Sequence, residues 1–316
     1  MGQNAAGMKG GEEPGTGSGT GSGTGSGTGG SPRSQPSVLW ALGAAALVIA
    51  GIFVVRQRRD EEEQGREIVA LGREGRASDV DAAPERLRVR VVRSYPHARD
   101  AFTQGLVWHE GVMYESTGQY GRSSLRRVDL ESGEVRERRE LPAQVFAEGL
   151  ALAGERLFQI SWMEGEARVW SMPALEPVRT FDYEGEGWGL CFDGTHLVMS
   201  DGTDRLFFRD PETFEVQRSI RVRERGEPLD QLNELECVGG VVWANVWQTD
   251  RIVRIDPRSG RVTAVVDASG LLEPEERRGA DVLNGIAWIP ERERFVITGK
   301  LWPRMFEVEM VPDGER

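Results

Sequence analysis

The stretch Val145-Phe146-Ala147-Glu148-Gly149-Leu150 ends in a tripeptide that recurs along the chain. In each copy a polar or aromatic residue stands two positions before an aliphatic residue, at the start of a short apolar run. The other four copies are Gln104-Gly105-Leu106, Trp188-Gly189-Leu190, Asn233-Glu234-Leu235 and Asn284-Gly285-Ile286. If the five copies are equivalent in the fold, their first residues meet in one place.

The spacing of these copies predicts the architecture. Their first residues lie 44, 40, 45 and 51 positions apart, and each copy opens a unit of short alternating apolar runs broken by Gly, Asp and Pro. A period of 40–50 residues with about four strands per unit is typical of a β-propeller. The fifth unit ends at residues 306–310 with room for only three strands, so the alternating stretch 87–92 is expected to supply the fourth. We therefore predict an all-β, five-bladed β-propeller over residues 87–311.

The segment before this domain differs in composition. Residues 1–36 are rich in Gly, Ser and Thr, which predicts a disordered tail because such a segment buries little apolar surface. Residues 37–55 contain VLWALGAAALVIAGIFVV, and an uncharged helix of that length, about 27 Å, matches a bilayer core. We predict a single transmembrane helix over 37–55, followed by a charged linker over 56–86.

Overall charge and the reactive side chains exclude several classes of function. The formal charge of −12 disfavours a nucleic-acid partner, because it repels phosphate. The two cysteines, Cys191 and Cys237, form no CxxC motif, and either two buried thiols or one bridge is compatible with the sequence. The histidines lack zinc-ligand spacing, so no metal is expected and each is assigned to a turn or the surface; they are His97, His109 and His196.

The repeat predicts which side chains converge. In a propeller the first strand of each blade lines the channel, so the first residues of the five tripeptides form a ring at one rim. The second strands return to that rim and are expected to present Glu115, Trp162, Asp201, Trp247 and Lys300. Tryptophans around a few polar groups are typical of a small-molecule or chain-end pocket. The alternative is that these side chains only fill the channel and satisfy strand ends.

Glu148 is the single acid in the predicted ring. Beside Phe146 and the tryptophans its pKa should be raised by desolvation, which suits a proton carrier near neutral pH. Lys300 and the amides are placed to stabilise negative charge on a carbonyl oxygen. The sequence shows no GxSxG motif and no Ser/His/Asp set, so the substrate is expected to supply its own nucleophile.

A series of motifs carries a family resemblance over about residues 89–310. In order, they are SYPH, AFTQGL, YESTGQYGRSSLRRVDL, FAEGL, EGWGL, LNELE, VWANVWQTDRIVRIDP, LNGIAW and TGKLWP. The chain resembles the plant-type glutaminyl-peptide cyclotransferases, the glutamine cyclotransferase family. The resemblance implies a five-bladed propeller that needs neither metal nor cofactor and that converts the N-terminal glutamine of peptides or proteins to pyroglutamate with release of ammonia.

The resemblance also implies roles for individual residues. Glu148 matches the family's acid/base glutamate, and Asn233 and Lys300 match its polar partners in catalysis. The substrate-binding residues implied are Phe102, Gln104, Phe146, Trp162, Trp188, Trp247 and Asn284.

Location is predicted differently by two lines of reasoning. Arg56, Arg58 and Arg59 follow the predicted span, and the positive-inside rule would then leave the domain on the cytoplasmic face. Family members are usually secretory or periplasmic, so we favour a membrane-anchored, extracytoplasmic domain, expected to be monomeric.

Two other functions remain compatible with the sequence. One is a metal-dependent propeller hydrolase of the lactonase type, in which Glu148, Asn233 and Asn284 would hold Ca²⁺ through oxygen ligands. The other is a propeller without catalytic activity that binds peptide ends.

Overall fold

The structure is a computed structural model that describes residues 83–314. Its regular elements in this range are 22 β-strands, which confirms the all-β prediction. No helix within residues 83–314 has the length and apolarity needed to cross a bilayer. The predicted tail, the predicted span 37–55 and the predicted linker up to residue 82 lie outside the described residues. The first strand, β1, runs from Glu85 to Pro96.

Three sheets are antiparallel meanders of four consecutive strands. The first contains β2 (Thr103–His109), β3 (Val112–Thr117), β4 (Ser124–Val128) and β5 (Val135–Glu140). The second contains β6 (Ala147–Ala153), β7 (Arg156–Ser161), β8 (Glu166–Ser171) and β9 (Pro177–Asp182). The third contains β10 (Leu190–Phe192), β11 (Leu197–Ser200), β12 (Arg205–Arg209) and β13 (Val216–Arg221).

A short hairpin of β14 (Arg223–Glu224) and β15 (Glu227–Pro228) leads into an eight-stranded sheet that joins two further sets. The fourth set is β16 (Leu232–Val238), β17 (Val241–Val246), β18 (Arg251–Ile255) and β19 (Val262–Asp267). The fifth is β20 (Leu283–Ile289), β21 (Arg294–Gly299) and β22 (Arg304–Pro312), completed by β1. β1 pairs antiparallel with β22, which confirms the prediction for stretch 87–92, and also lies parallel to β19.

The hydrophobic core is divided among the interfaces between consecutive sets. In the described part of the chain there are five buried clusters, and each contains side chains from two neighbouring sets. Leu125 and Leu157 belong to the cluster between the first and second sets, for example. Leu106 and Ile289 belong to the cluster between the first and fifth sets, so the series of interfaces closes on itself.

The recurring tripeptide coincides with an irregularity in strand pairing. In four of the five sets the register between the first and second strands shifts at the tripeptide, at Gln104, Glu148, Asn233 and Asn284. In the third set β10 begins two residues after Trp188. A bulge of this kind re-aims a side chain at the edge of the ladder, so the repeat turns its first residues towards one end of the molecule.

The glycines of the repeat allow the first strands to approach one another closely. A Cβ on Gly149 would lie 2.4 Å from the nitrogen of Leu190, and one on Gly189 would lie 2.0 Å from the oxygen of Asn233. Both distances are shorter than real Cβ contacts, so only glycine fits at these positions.

The fourth copy has an acid, Glu234, where the other copies have glycine. Its side chain is fully buried and accepts hydrogen bonds from the backbone N–H groups of Leu106 at 3.2 Å and Ile286 at 2.8 Å. Glu234 therefore ties the first strand of the fourth set to those of the first and fifth sets.

A disulfide joins the third and fourth sets. Cys191 on β10 and Cys237 on β16 are bonded, with their Cα atoms 5.4 Å apart. The choice that the sequence left open between two thiols and a bridge is thus resolved in favour of the bridge.

Glu234→Ala should lower the free energy of unfolding by about 2–4 kcal/mol, because two buried N–H groups lose their acceptor and each costs about 1–3 kcal/mol when unpaired. Chemical denaturation of the full-length variant measures the change. Glu215→Ala, at an exposed position of the same chain, is the control. Equal stability of the two variants would contradict the role assigned to Glu234.

Candidate active site

A cavity of about 360 Å³ lies at the end of the molecule where the tripeptides are found. The residues that line it lie at the start of a first strand, just before a first strand or just after a second strand, and these positions meet at one end because the two strands are antiparallel. They are Phe102, Gln104, Phe146, Glu148, Trp162, Trp188, Asn233, Trp247, Gln248, Asp281, Val282 and Lys300. The lining contains no serine, threonine or cysteine within residues 83–314.

A recurring backbone hydrogen bond sets this geometry. The residue after the second strand donates its N–H to the residue before the first strand, as Trp162 does to Phe146 at 2.9 Å and Lys300 to Val282 at 2.9 Å. Because the bond fixes the open end of the strand pair, it holds the indole of Trp162 and the ammonium group of Lys300 at the rim.

The same bond corrects one of the residues predicted at the rim, Glu115. In the first set Gly118, not Glu115, holds the equivalent position, since its N–H bonds to Phe102 at 2.8 Å. A Cβ on Gly118 would meet the ring of Phe146 at 2.4 Å, and one on Gly202 would meet the indole of Trp188 at 2.6 Å. Asp201, also predicted at the rim, does not line the cavity and caps a turn by accepting the N–H of Thr203 at 3.0 Å.

Glu115 instead forms a buried pair with His97. Its carboxylate accepts hydrogen bonds from His97 at 2.9 Å and Thr103 at 2.7 Å. Burial pushes the pKa of Glu115 upwards, but attraction to His97 and these hydrogen bonds outweigh it and hold the pKa below its usual range. The assignment of His97 to a turn or the surface is therefore wrong, because this carboxylate satisfies it inside the protein.

Glu148 is the acid at the centre of the cavity wall. It is 5 % exposed, and its Oε1 accepts a hydrogen bond of 2.6 Å from Gln104 Nε2. Asn284 Nδ2 donates in turn to Gln104 Oε1 at 3.2 Å and to the backbone oxygen of Thr103 at 3.0 Å. Asn284 thus lies behind Gln104 rather than in the wall, and it fixes the amide of Gln104 so that the NH₂ group faces Glu148.

The electrostatics of Glu148 favour its protonated form. Burial raises the pKa of Glu148 well above its usual range; Lys300 lowers it in part, and the carboxylates of Glu164 and Glu186 raise it. The predicted direction is confirmed, although the acid is less isolated than the sequence suggested. A carboxyl group that holds its proton this readily exchanges it at pH values where ordinary carboxylates stay ionised.

Lys300 is the cation of the cavity. Its ammonium lies 4.9 Å from the centre of the Phe102 ring, a cation–π arrangement. Burial lowers the pKa of Lys300, while Glu148 and Asp281 oppose that shift. Lys300 is the one basic residue among those that line the cavity, within the described range 83–314.

Two aromatic pairs form the rest of the wall. Phe146 and Trp162 pack edge to face with ring centres 5.6 Å apart, and Trp188 packs in the same way on Trp247 at 5.4 Å. Such pairs are stabilising and sterically specific, so the cavity has a fixed, apolar shape.

Asn233 contributes an unused acceptor. Its side chain is 2 % exposed, and its Oδ1 has no hydrogen-bond partner among the residues that the structure describes. Because buried polar atoms are normally paired, an acceptor of this kind in a cavity wall is suited to an N–H donor of a ligand.

Several functional side chains were not identified from the sequence. Gln248, Asp281 and Val282 line the cavity, and the repeat gave a signal for them, since they flank strand ends at the same rim. Glu164 and Glu186 lie behind the aromatic walls, where Glu164 accepts the N–H of Phe146 at 3.2 Å. Glu186 is the first residue of the motif EGWGL, but the motif assigned no role to it, and none of the motifs contains Glu164.

The residues present do not form a cluster suited to a metal ion. Over residues 83–314, no three or more His, Cys, Asp and Glu side chains are grouped so that they could hold one. The arrangement offers instead one proton carrier, one cation, one free acceptor and an apolar wall, which can bind a small amide and move a proton across it.

Comparison with known proteins gives consistent matches. The sequence model of the glutamine cyclotransferase family matches residues 67–310. The glutaminyl-peptide cyclotransferase of Arabidopsis thaliana is 42% identical over 239 residues, which cover 74% of this chain and 74% of the plant protein. The crystal structure of Myxococcus xanthus glutaminyl cyclase is 44% identical, with a TM-score of 0.67 over 73% of this chain and 99% of that one.

Lys300→Met should raise the pKa of Glu148 further, because it removes the charge that lowers this pKa. Titration of ¹³C-labelled glutamate carboxyls by NMR measures the shift in the full-length protein. Lys300→Arg keeps the positive charge and is the control, with a smaller shift expected. An unchanged or lowered pKa in Lys300→Met would show that Lys300 does not act on Glu148.

Proposed function

The chain belongs to the glutamine cyclotransferase family, and from this membership and the cavity we infer that it is a glutaminyl-peptide cyclotransferase, an acyltransferase. It converts an N-terminal glutamine to pyroglutamate and releases ammonia. The observation that carries our account of its mechanism is the buried Glu148, whose pKa is raised, in an aromatic cavity whose lining has no serine, threonine or cysteine in the described part of the chain.

The reaction requires one proton to move between two nitrogens of the substrate. The neutral α-amine attacks the γ-carbonyl carbon, so that the new N–C bond forms as the carbonyl oxygen gains negative charge. Glu148 takes the proton from the attacking nitrogen and gives it to the leaving amide nitrogen. The C–N bond to that nitrogen then breaks, and ammonia departs. The proton removed from the attacking nitrogen thus leaves as part of the ammonia, and Glu148 returns to its starting form.

The other polar groups have complementary tasks in this account. The ammonium of Lys300 stabilises the charge on the carbonyl oxygen, and its effect is strengthened because Lys300 is itself buried. Asn233 Oδ1 accepts an N–H of the substrate amide, which aligns the leaving nitrogen. Gln104, held by Asn284, keeps the carboxyl of Glu148 in one orientation, and the aromatic wall surrounds the glutamine side chain.

We also propose that the five four-stranded sets are the five blades of a β-propeller. The support is their common strand order and the closed series of buried clusters between consecutive sets. Closure of this kind removes exposed sheet edges and places five strand starts around one axis.

Substrates, assembly and location are proposals as well. We propose that peptides or proteins with N-terminal glutamine are bound by a monomeric domain, anchored through a helix over 37–55 and exposed outside the cytoplasm. The disulfide between Cys191 and Cys237 supports the last point, because such bonds persist in oxidising compartments.

Removal of metal ions should leave activity unchanged, because the proposed mechanism uses only side chains of the chain itself. Ammonia release from a glutamine-initiated peptide, measured before and after EDTA treatment and dialysis, tests this. Loss of activity that returns with Ca²⁺ would instead favour the metal-dependent hydrolase considered from the sequence.

Glu148→Gln should lower kcat by about 10²–10⁴-fold, the usual contribution of a proton-transfer group. Its amide oxygen can still accept the bond from Gln104, so KM should change little. Ammonia and pyroglutamate are measured together, with calorimetric binding of a glutamine-initiated peptide. Glu184→Gln, at an exposed position, is the control. Full turnover by Glu148→Gln would exclude this role, and binding without turnover in the wild-type protein would indicate a peptide-end binder.

A further inference from the structure

Glu186 lies in a short, tightly held segment between the second and third sets. Just after it, the N–H of Gly187 bonds to the oxygen of Trp162 at 2.9 Å. A Cβ on Gly187 would come within 2.3 Å of the Tyr183 hydroxyl oxygen and 2.6 Å of the oxygen of Ser161. The backbone that carries Glu186 is therefore packed directly against the second set.

One carboxylate oxygen of Glu186 contacts two walls of the cavity. Its Oε2 accepts the indole N–H of Trp162 at 2.8 Å and that of Trp188 at 2.9 Å. The two indoles belong to different sets, and each packs edge to face on another wall residue, Phe146 or Trp247. An indole N–H can only donate, and a charged acceptor makes such bonds stronger than neutral ones.

We propose that Glu186 is a positioning residue for the cyclisation reaction, which fixes Trp162 and Trp188 in the orientation that shapes the pocket for the glutamine side chain. The proposal rests on the function proposed above and adds to it a residue that does not line the cavity. Without this acceptor the two indoles lose the bonds that set their tilt, and the pocket loses its defined shape.

Glu186 has a second effect through its charge. It is one of the carboxylates that raise the pKa of Glu148. Hydrogen bonding and charge can be separated experimentally, because a glutamine at this position still offers an acceptor oxygen to both indoles but carries no charge.

The test compares Glu186→Ala, Glu186→Gln and the control Glu184→Ala, an exposed acid on the same segment. Glu186→Ala should lower kcat/KM at least tenfold, mostly by raising KM. Glu186→Gln should keep kcat/KM much closer to the wild-type value. Glu186→Gln should also move the acidic limb of the pH profile to lower pH, since removing the negative charge lowers the pKa of Glu148. Glu184→Ala should match the wild type.

A readout without substrate keeps this test independent of the proposed function. In ¹H–¹⁵N NMR spectra, the indole signals of Trp162 and Trp188 should shift upfield in Glu186→Ala and stay near their wild-type positions in Glu186→Gln. If the wild-type protein released no ammonia, the proposed function would fail. The indole signals would still test whether Glu186 holds Trp162 and Trp188 in place.

The proposal is overturned if Glu186→Ala retains wild-type kcat/KM and indole signals, or if Glu186→Gln loses as much as Glu186→Ala. Should Glu186→Ala not fold, Glu186→Gln decides: retained indole signals with the acidic limb moved to lower pH support the proposal, and displaced signals or an unmoved limb overturn it.

Discussion

The close approach of the first strands is the constraint on which the rest of the structure depends. Gly149 and Gly189 bring neighbouring backbones so near that a methyl group would clash, and Glu234 bridges three strands where glycine is absent. Five strand starts are thereby held around one small space. The side chains that line the cavity lie on or beside strand ends that this packing has placed.

The chemistry of Glu148 follows from that packing. The carboxyl group of Glu148, at a bulge on the inner rim, is buried in a cavity wall beside aromatic rings, where the ionised form is disfavoured. Lys300, at an equivalent strand end and 4.9 Å from the centre of the Phe102 ring, limits the upward shift of the Glu148 pKa through its positive charge. The balance of burial and charge leaves a group that can gain and lose a proton during one turnover.

Much of this was predictable from the sequence because the repeat encodes positions. Spacing alone placed Glu148, Trp162 and Lys300 at one rim, and alternation in stretch 87–92 predicted the strand that β1 supplies. The positions predicted for the second-strand residues at the rim were not met in the first and third sets. There Gly118 and Gly202 pack against the rings of Phe146 and Trp188, in place of the predicted Glu115 and Asp201. Glycine carries no chemical signal, so its role beneath Phe146 and Trp188 emerges only from the contact distances.

Contacts that depend on the direction in which a side chain points could not be predicted from the sequence. The pairing of His97 with Glu115 and the two indole hydrogen bonds to Glu186 depend on the direction of side chains, which the spacing of the repeat does not encode. The disulfide was equally undetermined, because two cysteines 46 positions apart do not reveal whether their strands are neighbours.

The most direct test of the account is whether the proton that matters for turnover belongs to Glu148. The pH profile of kcat/KM on a glutamine-initiated peptide, corrected for the separately measured titration of the peptide α-amine, reports the remaining ionisation of the free enzyme. The account predicts one such ionisation, well above the usual carboxyl range and equal to the Glu148 pKa titrated by NMR in the same protein. A profile explained by the α-amine alone, or an ionisation that differs from that of Glu148, would contradict it.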